Sequence, residues 1–107
     1  MLLAEVVATS TEVAATRSRK AKTAALAALL ARAGDEAETV TSYLAGSLRQ
    51  RRTGLGWRSM QALPAPASES SLTVREVHEA FEAMAALSGP GSQTARTDAA
   101  AALFGRA

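Results

Sequence analysis

The sixteen residues SRKAKTAALAALLARA, Ser18 to Ala33, leave little choice of backbone. Alanine and leucine dominate the stretch, and these are among the residues that lose least on entering a helix. Ser18 offers an N-cap oxygen. Leu26, Leu29, Leu30 and Ala33 recur at helical spacing on one face, and Gly34 provides a stop. The rest of the chain has the same character: 48% of its 107 residues are hydrophobic, but only four are aromatic, and β-branched runs are few. Such a composition implies an all-α fold with small residues where helices approach closely.

Helical periodicity recurs elsewhere. Leu2, Leu3, Val6, Val7 and Val13 predict a helix over 2–16, and the capping-box spacing of Thr9 and Glu12 predicts a break or restart inside it. Asp35, with Glu38 three residues on, predicts the N-cap of a third helix. Val40, Leu44 and Leu48 would carry it to about Arg49. Trp57 to Leu63 reads as a short helical piece, and LPAPASESS as a Pro/Ser linker. Thr73 and Glu76 form another capping box, opening a helix that buries Val74, Val77, Phe81 and Met84 or Leu87. SGPG interrupts the chain before a last helix from Ser92.

Ser18–Ala33 aligns without gaps to SQTARTDAAAALFGRA, Ser92–Ala107, with nine of sixteen positions identical. Five identities are alanine. Ser18/Ser92, Thr23/Thr97, Leu29/Leu103 and Arg32/Arg106 carry more information, and Lys22/Arg96 keeps a positive charge. An internal repeat follows, with two similar Ala-rich helices as the simpler alternative. The first copy leads into GDEAETVTSYLAGSLRQRRTGLGW, whereas the second stops at Ala107. The expectation is therefore a first helical lobe with a basic loop (1–63), a linker (64–72) and the start of a pseudo-symmetric second lobe (73–107), left incomplete and with apolar surface exposed.

Charge and motifs exclude several function classes. The formal net charge is only +2, but residues 1–60 carry nine Lys/Arg against five Asp/Glu, and residues 61–107 three against five. That asymmetry points to an anionic partner of the first half. Cysteine is absent, which removes disulfides and thiol catalysis and fits a cytoplasmic setting. No run approaches the roughly eighteen apolar residues of a membrane span, and MLLAEVV lacks the basic start of a signal peptide. His78 falls mid-helix among Arg75, Glu79 and Glu82, a solvated position rather than a general base. Asp35, Glu36 and Glu38 cluster at a helix N-terminus, where carboxylates complement the dipole without any metal. There is no phosphate loop with its lysine, no HExxH and no GxSxG, so no catalytic residue and no metal ligand is assigned.

Two basic features remain. Arg17, Arg19, Lys20 and Lys22 crowd a helix start, where cations oppose the dipole. Arg49, Arg51 and Arg52 follow the third helix, whose C-terminal dipole accounts for one or two of them. Gly54 and Gly56 are not accounted for that way. Glycines permit positive φ and let backbone N–H groups approach another molecule, while neighbouring arginines offer forks for phosphate oxygens. Such a loop would hold nucleic-acid backbone without reading bases. Trp57 reads more readily as a core anchor than as a stacking residue.

VAATRSRKAK, LLARA, YLAGSLRQRRTGLGW and ALSGPGSQTARTDAAAALFGRA, in that order, resemble the opening of bacterial ATP-dependent DNA ligases of the DNA ligase B type. The resemblance covers nearly the whole chain. It implies an N-terminal helical DNA-binding domain of two pseudo-symmetric lobes, whose loops grip phosphates of nicked duplex across the minor groove. It assigns Arg49, Arg51, Arg52, Gly54 and Gly56 to sequence-independent backbone contact, with Arg17, Arg19, Lys20 and Lys22 as weaker candidates. The family uses ATP and Mg2+ on a catalytic core downstream, built around a Lys-x-Asp-Gly lysine that becomes adenylylated. That motif is missing here, so no cofactor is expected on this chain and no nick sealing by it alone. The competing expectation is a small helical module docking a protein through Ala/Leu faces. A helix-turn-helix regulator fits less well, because the helix after the loop offers little beyond Arg58 and Gln61 for reading bases.

Overall fold

A computed structural model describes residues 1–50, 52–56, 61 and 63–107. Five α-helices follow in order: α1 (Leu3–Ala15), α2 (Arg19–Ala33), α3 (Ala37–Leu44), α4 (Val74–Ala86) and α5 (Ser92–Phe104), with a 3-10 turn, Gly34–Glu36, leading into α3. The described residues form no strand, only one isolated antiparallel bridge between Leu2 and Thr73.

That bridge organises the fold. Leu3 N–H donates to the Leu72 carbonyl (2.8 Å) and Val74 N–H to the Met1 carbonyl (2.9 Å). Both donors are first-turn amides that a helix leaves without an internal acceptor. Because the bridge is antiparallel, α1 and α4 leave it in opposite directions, consistent with a longest extent of 50 Å. α2 returns along α1 and α5 along α4, giving two helical hairpins with α3 between them.

The repeated segments occupy matching places. Leu29 and Leu103 are both buried. Arg32 reaches back to Glu5 (3.6 Å), and its counterpart Arg106 to Glu76. Both glutamates sit at the third position of their helices and accept the N-cap backbone N–H, Glu5 from Leu2 (2.9 Å) and Glu76 from Thr73 (3.2 Å). The Thr73 hydroxyl returns the bond from Glu76 N–H (3.1 Å), completing the box foreseen at α4. The copies differ in length, since α2 continues to Ala33 whereas α5 ends at Phe104.

Two apolar clusters form the core. Val6, Leu29, Ala33, Val40 and Val74 make one; Leu72, Val77, Phe81, Met84, Ala100 and Leu103 make the other. Val74 belongs to the first although it opens α4, and Tyr43 packs against both. The hairpins are therefore joined by side chains as well as by the bridge.

Several expectations are corrected. α1 runs unbroken through Thr9, which is buried rather than capping. A threonine N-cap needs non-helical backbone, and the stripe Val6, Thr9, Val13 is satisfied only if the helix continues. Asp35 does not cap α3. It lies in the 3-10 turn and pairs with Arg75 of α4 (3.2 Å), beside Glu36 (3.5 Å to Arg75). α3 ends at Leu44, not Arg49. Gly46 takes φ +79°, with Gly46 N–H bonded to the Tyr43 carbonyl and Ser47 N–H to the Ser42 carbonyl, a Schellman stop. Leu48, expected on the buried face, is exposed. Of α4's alternatives, Met84 is buried, while Leu87 is the C-cap residue. The helix expected over Trp57–Leu63 falls largely on positions outside the described residues.

Three outcomes follow. Leu29 is fully buried, so Leu29→Ala should cost about 2–5 kcal/mol in denaturant unfolding, and Val7→Ala, at an exposed position, should stay within about 0.5 kcal/mol. Burial raises the Tyr43 hydroxyl above its ordinary pKa, partly opposed by Arg49, and that hydroxyl is buried without a partner. Tyr43→Phe should therefore be neutral or stabilising by up to about 1 kcal/mol. Tyr43 is the only tyrosine, so tyrosinate absorbance reads its late titration directly. Arg106, and then the Thr73 backbone N–H, hold the Glu76 carboxyl below the usual carboxylate range. A depressed folded-state pKa stabilises above the unfolded value and stops doing so as pH falls through the folded one. The stability difference between wild type and Glu76→Gln, measured by denaturant unfolding across pH, should be present at neutral pH and vanish in acid.

Candidate nucleic-acid interface

The basic segment after α3 begins where the Schellman stop turns the chain off the helix. Arg49 lies five residues beyond Leu44, too far for the α3 dipole to explain it. Arg49 is not at the end of α3, where the apolar period put it; with Gln50, Arg52, Gly54 and Leu55 it belongs to a loop running over α3, α4 and α5. Arg49 donates to the Thr39 hydroxyl (3.2 Å) and pairs with Glu38 (3.3 Å). Glu38 is largely exposed, and an open pair of this kind is worth about 0–1 kcal/mol, so its guanidinium can exchange partners.

Gln50 fastens the loop to α4. Its Nε2 lies 3.2 Å from His78 Nδ1 and donates to Glu82 Oε1. With Nδ1 accepting, the His78 proton sits on Nε2, which faces Glu82 at 3.9 Å. His78 is thus no solvated helix residue: it is about three-quarters covered and serves as a support. Gln50 Oε1 is buried without a partner.

Beyond Gln50 the loop crosses to α5. Arg52 is exposed and, among the described residues, has no carboxylate within ion-pair distance. Gly54 adopts φ +77°, as its identity suggested. What approaches it is Arg96 of the same chain. A Cβ on Gly54 would stand 2.5 Å from Arg96 Cζ and 2.9 Å from Cδ. Leu55 then packs against the Phe81–Met84–Leu103 cluster. Gly56 has no positive φ and faces open space, so its identity is not required by the backbone. Arg51 and Trp57 lie outside the described residues.

The other basic cluster lies on the first hairpin. Arg17, Arg19 and Lys20 are exposed and Lys22 partly so, around the α1–α2 turn where the Ser18 hydroxyl caps α2 (3.1 Å to Ala21 N). Among the described residues the loop makes no hydrogen bond or ion pair with any of these. Its partners are on α3, α4 and α5, so the structure does not bring the two candidate sets together. Sequence reasoning missed Gln50, His78 and Arg96. Only Arg96 left a trace, as the charge-conserving partner of Lys22 in the repeat.

The resemblance gives ATP and magnesium to the family's downstream core. The chain has no Lys-x-Asp-Gly, and among the described residues no three His, Cys, Asp or Glu side chains gather to hold a metal. No helix of the described residues is long and apolar enough to cross a membrane.

The family model for the DNA ligase N terminus matches residues 2–107. Over its whole length the chain is 63% identical to a probable DNA ligase of Nocardioides sp., 64% to one of Beutenbergia cavernae and 63% to one of Kineococcus radiotolerans. It covers 22%, 21% and 22% of those proteins, and so spans about a fifth of the relatives it matches. No solved structure matches it. A family match from residue 2 to residue 107, carried by an all-helical fold, places this chain in the DNA ligase family, within its N-terminal region.

Proposed function

We propose that this chain is the non-catalytic, DNA-binding part of an ATP-dependent DNA ligase and contacts the phosphate backbone of nicked duplex through Arg49, Arg51, Arg52, Gly54 and Gly56. Nick sealing in replication, repair and recombination belongs to the full-length enzyme, on ATP and Mg2+ held by a downstream core. In this reading residues 1–63 form one helical lobe, 64–72 a linker and 73–107 the beginning of a second lobe, acting in the cytoplasm. Family membership along the whole chain is the observation that carries the proposal. The loop supports it locally, with Arg52 exposed and the Arg49 pair open to exchange for a phosphate oxygen. Arg17, Arg19, Lys20 and Lys22, at the tip of the other hairpin, would add a second, weaker grip.

One observation favours protein docking instead. Leu2, Val7 and Leu48 are exposed, Val7 to 55%, beside an open groove of about 320 Å³ lined by Leu3, Val6, Tyr43 and Val77. Salt separates the readings, since phosphate binding weakens linearly in log salt and apolar docking hardly changes. In fluorescence anisotropy with a nicked duplex, changing Arg49, Arg51 and Arg52 together to Ala should weaken binding and flatten the salt slope by about 0.9 for each phosphate no longer neutralised. Unchanged affinity and slope would remove the loop assignment.

A further inference from the structure

Arg96 is the most buried arginine or lysine among the described residues, only 9% exposed, and its position is specified from three sides. Nε donates to the Met84 carbonyl (3.3 Å), one terminal nitrogen to the Leu87 carbonyl (2.8 Å) and the other to Gln93 Oε1 (3.0 Å). Met84 and Leu87 are at the C-terminal end of α4, where carbonyls lack helical partners, so the fork ties α5 to that end. A planar, always-charged fork suits this task better than a flexible ammonium. Three of its five N–H donors are thereby committed within the chain.

Gly54 lies directly against this guanidinium, so that a Cβ there would force it to shift away from its three acceptors. Gln50 holds the loop four residues earlier on α4, and Leu55 holds it one residue later in the core. The geometry points to Arg96 as the positioning residue of the basic loop: fixed by the end of α4, it sets where Gly54 runs and so where Arg52 is presented. The second hairpin is thereby the template for a contact surface whose sequence belongs to the first. This inference rests on the phosphate-loop reading and adds that the loop's placement is set by α5.

The test is a double-mutant cycle on duplex affinity, using Gly54→Ala, Arg96→Lys and the pair in the 107-residue chain, with folding followed by circular dichroism. Beside the native Arg96 guanidinium the new Cβ has no room, so Gly54→Ala should weaken binding about tenfold or more. In the Arg96→Lys background the planar group is gone while the charge stays, and the same substitution should cost only about two- to threefold, the part due to positive φ. A cycle in Arg96→Ala should show the same non-additivity; if that variant does not fold, the cycle with Arg96→Lys decides. Equal losses in both backgrounds overturn the positioning role, because a cation serving only α4 would not sense the residue at position 54. If changing Arg49 and Arg52 to Ala leaves affinity intact, the phosphate-loop reading fails. If that change weakens binding but the cycle is additive, the positioning inference alone fails.

Discussion

Two backbone hydrogen bonds between Met1–Leu3 and Leu72–Val74 set the terms for everything else. They cap the first amide of α1 and the first amide of α4 with each other's carbonyls. A buried donor left without an acceptor costs about 1–3 kcal/mol, so neither helix start is readily moved alone. The exchange fixes the two hairpins head to head, buries Val74 among the residues of the first cluster, and brings α3 against α4. The segment after α3 then has a surface to cross, and it crosses the second hairpin.

The proposed function divides labour between charge and support. In that reading the loop supplies Arg49, Arg52 and an accessible backbone, while α4 and α5 supply His78, Glu82 and Arg96 as its supports. An arginine-rich loop without such support would lose conformational entropy on binding, a cost of about 1–2 kcal/mol for each residue ordered. Here two attachments, at Gln50 and Leu55, hold the loop in advance, with Gly54 between them close against Arg96. Gly54 illustrates how a sequence signal can have the right geometry and a different cause. Its positive φ was legible from its identity, but the group that stands where a Cβ would be is an arginine 42 residues away.

The helices were largely legible because their signals are local. Ser18 with Gly34 bounds α2, and the Thr73–Glu76 box opens α4. The repeat picked out Arg32 and Arg106 before their matching partnerships with Glu5 and Glu76 could be seen. Local signals also misled where tertiary contacts outweighed them. Thr9 and Glu12 have capping-box spacing, but burial of Thr9 keeps α1 continuous. Leu48 extends the apolar period of α3, but Gly46 ends the helix first. His78 looked solvated because Gln50, the residue that covers it, is 28 positions earlier in the chain. The loop's charge was visible in the sequence; its supports were not, because Gln50, His78 and Arg96 act through long-range geometry.

If DNA lies on the loop that the second hairpin holds, amide chemical-shift mapping during titration with a nicked duplex shows it most directly. The prediction is that the largest shifts fall on Arg52–Gly56, with smaller ones around Arg17–Lys22, and that the amides of Leu3–Val7 hardly move. Shifts confined to the exposed apolar face of α1, with Arg52–Gly56 silent, would contradict it.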